Sequence, residues 1–219
     1  MDILAFGTPF GLAFASGLNA YLPMLAFTFA VRWLHLYKVN PNFAFITSNW
    51  FIAALVILTI LDFVADKIPL IDHGWDAIHT VIRPLAGAIV AAASSYYTLG
   101  SHSTAFISYT SSGITMAALS STISVTGLGL LAVLLIGAAL AALTHTTKST
   151  TRLVSTLTTA GFLNIGLSVA EDILVVIIIL LSLFAASIMF ILLVLLVLIL
   201  VPRLIRSWYT RRNRRGGIL

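Results

Sequence analysis

Six of the seven acidic residues in this 219-residue sequence fall in two places: Asp62, Asp66, Asp72 and Asp76, then Glu171 and Asp172. Asp62 and Asp66 are four apart and share one helical face. Against them stand the bases Lys67, Arg83, Lys148 and Arg152, with His79 and His145 close by in the chain. Asn19, Asn164 and Ser168 add neutral oxygen ligands, and positions 164, 168 and 171 or 172 share a helical face. Carboxylates joined by amide oxygens suit a proton or a hard cation, whereas the bases suit an anionic headgroup. The inventory describes a polar chamber with Asp62, Asp66, Asp76, His79, Glu171 and Asp172 as ligands and Lys67, Arg83, His145, Lys148 and Arg152 as counter-charges. The competing reading makes the same charges ion pairs that hold a helix bundle together, with Asp66 and Lys67 snorkelling to water.

Glu171 and Asp172 are the sharper pair. Adjacent helical residues point about 100° apart, so one acid can pair with Lys148 or Arg152 while the other faces a cavity. Burial or a like charge raises a carboxyl pKa, which suits proton coupling. No spacing matches a metal motif, so the identity of any metal is left open. Enzymatic signatures are missing: there is no H-E-x-x-H, no G-x-S-x-G and no Walker lysine loop. His145 can serve as a general base, but a histidine at a helix start more often caps it. The sequence therefore predicts no enzyme and implies no cofactor.

The elements that position these residues follow from composition. The chain is 60% apolar and 9% charged, with a mean hydropathy of +1.08. Soluble domains carry about 25% charged residues. That gap excludes a soluble enzyme, a disulfide scaffold and a disordered chain, and it predicts an integral membrane protein. The apolar runs are continuous rather than alternating, so the spans are helices and not barrel strands. At about 20 residues per span, the length allows about six. Cysteine is absent.

The net charge of +5 is an uneven average. Arg203, Arg206, Arg211, Arg212, Arg214 and Arg215 crowd the end of the chain, leaving near balance elsewhere. A basic segment after a span marks the cytoplasmic side and an anionic lipid surface. Nucleic acid is not an expected partner, because no aromatic-interleaved platform accompanies the arginines.

The expected fold is an all-α membrane bundle. Its first segment, about 6–31, contains Gly17-Leu18-Asn19-Ala20-Tyr21-Leu22-Pro23, which predicts a broken or re-entrant helix, with a merely kinked span as the alternative. Spans follow at 50–67, 84–99, 127–143, 163–183 and 186–202. Short amphipathic helices are expected at the interface over 73–82 and 144–159. The Ser/Thr-rich stretch 100–125 reads as an exposed loop, with a weak extra span as the alternative. A single tilted helix over 173–201 is the alternative to the last hairpin, whose turn falls near Phe184–Ser187. Both termini then lie on the cytoplasmic side with ten of the twelve bases. Residues 1–202 form one polytopic domain and 203–219 a basic tail. Halves 1–99 and 126–202, three spans each, predict a 3+3 inverted repeat, an architecture common in small transporters.

Several motifs carry a family resemblance. Gly17-Leu18-Asn19-Ala20-Tyr21-Leu22-Pro23, Ala65-Asp66-Lys67-Ile68-Pro69 and Trp75-Asp76-Ala77-Ile78-His79 resemble the membrane family called domain of unknown function 4126. Arg83-Pro84-Leu85-Ala86-Gly87-Ala88, Thr144-His145-Thr146-Thr147-Lys148 and Ser168-Val169-Ala170-Glu171-Asp172 continue the match in order. It covers most of residues 11–183 and departs at 100–125 and at the last hairpin. The resemblance implies a polytopic fold and supplies no activity.

Charge concentrated in an otherwise uncharged membrane chain points to a small secondary transporter or channel for an ion or small charged solute. The alternatives are a non-transporting scaffold or accessory subunit of a larger complex, and the binding or translocation of a lipid headgroup. Partners are the bilayer, anionic lipid at the arginines, and further copies or subunits.

Overall fold

The computed structural model describes residues 6–65, 69–95, 116–159 and 162–216, and all regular structure among them is helical. At the centre lies a short helix, α1 (Gly7–Ser16), nearly all of whose residues are buried. Its small side chains let four neighbours approach closely. A methyl group at Gly11 would meet the Met189 side chain, and one at Gly17 would overlap Thr144 and the Ala141 carbonyl. Thr8 Oγ1 donates to the Ser182 carbonyl at 2.7 Å, fastening α1 to the turn of the last hairpin.

The chain breaks after Ser16 and resumes as α2 (Leu22–Arg32). A 3-10 helix, Pro41–Thr47, then meets α3 (Asn49–Ala65) at a 65° bend. Next come α4 (Pro69–Ser94), α5 (Met116–Thr159), α6 (Phe162–Phe184) and α7 (Ala186–Gly216). The α4–α5 seam is antiparallel, with Gly87 and Ala91 against Gly137 and Ala141. Small residues on both helices let the two backbones touch here.

The broken first segment and the final hairpin agree with expectation. A single non-helical residue, Ala185, separates α6 from α7. Leu196 and Leu200 of α7 return to line the same cavity as Leu167 and Leu174 of α6. Other expectations are corrected. Among the described residues two helices, Leu128–Thr158 and Gly166–Phe184, are long and apolar enough to cross a membrane, or three if the bent 3-10/α3 pair counts as one span; six were expected. The break leaves α1 and α2 at 10 and 11 residues, about 15 Å each against a hydrocarbon core of about 30 Å. Ala186–Leu200 is similarly short.

Residues 73–82 and 84–99 do not form separate elements, because α4 runs unbroken through Pro84 to Ser94. Likewise 127–143 and 144–159 are one helix, α5, which already begins at Met116 inside the stretch expected to be a loop. The rest of that stretch, 100–115, lies outside the described residues, as does 96–99. These fusions attach the polar segment to the following span in one half and to the preceding span in the other. Among the described residues the fused elements do not display the 3+3 inverted repeat. The arginine-rich stretch continues α7 through Pro202 to Gly216.

The amphipathic segments are also inside out relative to an interfacial helix. Ile78 and Val81 are 57% and 64% exposed, whereas His79 and Arg83 are fully buried. On α5, Leu153, Val154 and Leu157 face outward while Lys148 and Arg152 are buried. Polar faces turned inward and apolar faces outward are what a hydrocarbon surround favours. Threonine hydroxyls follow the same logic. Thr147, Thr150, Thr151, Thr156 and Thr158 each donate to a carbonyl one turn back, so their hydroxyls need no water.

Candidate functional site

The α1–α2 break is built by Asn19. Its Oδ1 accepts from the backbone N–H of Tyr21 at 3.1 Å and of Leu22 at 2.8 Å. It thereby caps α2, whose first turn holds Pro23. Asn19, an expected ligand, thus has its side-chain oxygen on two backbone N–H groups. The break also releases carbonyls at the end of α1. Thr144 Oγ1 donates to the Phe14 carbonyl at 2.9 Å, and Lys148 Nζ donates to the Leu18 carbonyl at 3.0 Å. An ammonium at a helix C-terminus is favoured by the dipole as well as by the hydrogen bond.

Lys148 reaches a second partner, Glu171 Oε2, at 3.4 Å. The same carboxylate oxygen accepts from Arg152 at 2.7 Å. Lys148 and Arg152 stand four apart on α5 and thus share a face, which brings both to one acid on α6. Asn164, further back on α6, donates through Nδ2 to Thr156 Oγ1 at 2.9 Å. Asn164 Oδ1 and Ser168 Oγ are buried and accept or donate no hydrogen bond among the described residues. Asp172 is half-buried beside Glu171.

A second cluster lies on the other side of the break. Asp62, at the end of α3, is fully buried 3.4 Å from His79 Nε2 and 3.7 Å from the Arg83 guanidinium. Arg83 also contacts His145 Nδ1 at 2.8 Å, and His145 Nε2 lies 3.3 Å from Thr80 Oγ1. A guanidinium only donates, so Nδ1 must accept. His145 is therefore neutral in this geometry, with its proton on Nε2 directed at Thr80. Tyr21 packs edge-on against His79, ring centroids 5.8 Å apart. Residues of the break thus touch both clusters: Leu18 through Lys148, and Tyr21 through His79.

The predicted residues sort accordingly. Asp62, His79, Arg83 and His145 meet in one cluster; Lys148, Arg152 and Glu171 meet in the other, with Asn164 and Ser168 on the same helix as Glu171. Asp66 and Lys67 lie outside the described residues, as does the side chain of Asp76. Among the described residues no group of three His, Asp or Glu side chains gathers to hold a metal ion. Tyr21, Thr80 and Thr144 were not singled out as site residues. Their signal was weak: polar groups in apolar surroundings, adjacent to or facing motif residues.

Between α1, α5, α6 and α7 lies a cavity of about 380 Å³. Six leucines line it, with Phe14, Ala170, three threonines, Lys148 and Glu171. That volume is at the lower end of the range for small-molecule sites.

The family model described as Domain of unknown function (DUF4126) matches residues 6–126 and 103–206. The two matches overlap in the Ser/Thr-rich connection and together cover most of the chain. No curated protein and no solved structure matches the sequence.

Proposed function

We propose that this chain, which belongs to the family described as Domain of unknown function (DUF4126), is a small membrane transporter for an ion or small charged solute. One observation carries the reading: Lys148 bridges the freed carbonyl of a broken helix and the carboxylate of Glu171. Discontinuous helices supply dipole ends and unpaired carbonyls to solute sites in many transporters. Ionisable groups inside a bilayer cost a few kcal/mol each on insertion scales and cluster at functional sites. A solute that competes for Lys148 or Glu171 loosens the tie to Leu18 and frees the α1–α2 break to reorient. In this reading the bundle is polytopic, with both termini and the arginine-rich end of α7 on the cytoplasmic side against anionic lipid.

The test is charge displacement by proteoliposomes on a solid-supported membrane, with concentration jumps of protons, sodium, chloride, phosphate and acetate. The native chain gives a displacement above empty liposomes for at least one of these, and Glu171→Gln removes it. No displacement for any of them, or an undiminished one in Glu171→Gln, overturns the reading. A scaffold is the second reading, favoured by the mutual pairing of Glu171 with Lys148 and Arg152. A stoichiometric partner retained in mild detergent, together with absent flux, supports it.

A further inference from the structure

Buried hydroxyls in this bundle share a habit from which Ser168 departs. Ser16, Thr28, Ser94 and Ser182 are buried, and each donates to the carbonyl four residues back at 2.6–3.0 Å. Ser168 on α6 is fully buried too, yet its Oγ makes no such bond to the Asn164 carbonyl and meets no other partner among the described residues. Asn164 Oδ1, one turn back, is likewise buried and receives no donor. Helical residues four apart stand about 5–6 Å apart at Cβ, so the two atoms belong to one strip of α6. Both ends of that strip are tied to α5, Asn164 through Thr156 and Glu171 through Arg152.

Thr156 sets which way the Asn164 amide faces. Its hydroxyl donates to the Arg152 carbonyl at 2.9 Å, so toward Asn164 it can only accept, and the amide nitrogen faces it at 2.9 Å. The amide oxygen therefore points away from Thr156, and an amide oxygen accepts without donating. Whatever sits on it brings a proton or a positive charge, which excludes an anion. A metal cation fits poorly, because hard cations take about six oxygens and Asn164 and Ser168 supply two neutral ones. The acid on this strip, Glu171, already carries two bases. Water fits: it gives a proton to Oδ1 and either gives one to the Ser168 hydroxyl or takes one from it. Internal water typically makes about three hydrogen bonds to buried groups that otherwise have none.

We infer that Asn164 Oδ1 and Ser168 Oγ hold internal water, and that the Ser168 hydroxyl continues it to Glu171 as a short hydrogen-bonded file. Ser168 lies one turn from each of the other two residues, and its hydroxyl both donates and accepts. Arg152 and Lys148 approach Glu171 through Oε2, so the water meets the acid at Oε1. This goes beyond the transport reading, since the water is bound whether or not a solute crosses. Absent charge displacement leaves the water in place, and a dry strip leaves displacement untouched.

The experiment is water-edited solid-state NMR of the full chain in phosphatidylcholine bilayers, with carbon-13 in serine and glutamate. Glu171 is the sole glutamate in the sequence, and each serine signal is assigned by its loss on substitution to alanine. Magnetisation from water reaches Ser168 Cβ and Glu171 Cγ, and does not build up comparably at Ser16 or Ser182, whose equally buried hydroxyls are bonded to their own helices. Asn164→Leu, close in volume but without the oxygen, abolishes transfer to Ser168 and weakens it at Glu171. Transfer to Ser168 no greater than to Ser182, or transfer to Ser168 and Glu171 unchanged in Asn164→Leu, overturns the inference. Thermal unfolding in detergent gives an independent measure that does not need Asn164→Leu to fold. With water bound, Ser168→Ala loses a hydrogen bond and lowers the midpoint. In a dry strip the same change removes an unmet buried hydroxyl and raises it, and a raised midpoint overturns the inference.

Discussion

Lys148 Nζ donates to the Leu18 carbonyl at 3.0 Å, across 130 residues of sequence, and so ties the C-terminal part of α5 to the point where the first helix stops. Both groups are buried. Each solves the other's problem: the carbonyl lost its helical partner at the break, and the ammonium needs acceptors where water is absent. Removing Lys148 leaves the carbonyl unmet. Lys148→Met is expected to cost about 1–3 kcal/mol, read as a lower midpoint in thermal unfolding in detergent. Lys148→Arg, which still donates, should recover part of the loss.

The Asp62–Arg83 contact sets a harsher expectation. Both side chains are fully buried, and deleting one partner of a buried pair typically costs about 3–5 kcal/mol, while replacing both by apolar groups can be neutral. Asp62→Leu should therefore reduce the yield of folded protein sharply, and Asp62→Leu with Arg83→Met should restore much of it. Equal damage in the single and double variants would show that the two side chains do not act on each other.

The Arg83–His145 contact fixes a tautomer. With Arg83 donating to Nδ1, the imidazole carries its proton on Nε2, toward Thr80. Nitrogen-15 spectra of histidine-labelled protein should show His145 Nδ1 unprotonated and Nε2 protonated. Arg83→Met removes the donor and should let the two tautomers mix. An Nδ1-protonated ring in the native chain would contradict the geometry.

Close approach at the break gives a packing expectation. A methyl at Gly17 overlaps Thr144 Oγ1 and crowds the Ala141 carbonyl. Gly17→Ala should destabilise by about 1–3 kcal/mol, the usual cost of overpacking. Thr144→Ala removes one of the two clashing groups, so the double variant should be less destabilised than the sum of the singles, a coupling that a double-mutant cycle isolates.

How far the sequence foretold this arrangement depends on the residue. Gly17, Asn19 and Pro23 within seven positions announced the break, because each punctuates a helix for its own reason. The charges announced their own clusters by being rare. The last hairpin was legible from length, since 29 uncharged residues in one helix would overrun a bilayer, even though its turn contains no Gly or Pro. The boundary expected between 73–82 and 84–99 is absent, because α4 continues through Pro84, packed on α5 at Gly87 and Ala91. The Ser/Thr-rich run misled as well: its part from Met116 onward opens α5 and is not a loop. An amphipathic pattern does not say which face meets which solvent. That is why His79 and Arg83, expected along an interface, lie buried at the centre of a cluster.

The central claim is that the Lys148–Glu171 centre serves passage and not only cohesion, and sided accessibility tests it most directly. The chain has no cysteine of its own, so Ala170→Cys places one thiol on the cavity wall beside Glu171. In sealed proteoliposomes of known orientation, a membrane-impermeant charged thiol reagent is applied from each side in turn. The predicted result is reaction from both sides, at rates that change together when Glu171→Gln is added. Reaction from neither side, or from one side under every condition, would contradict the claim and leave the centre a structural staple.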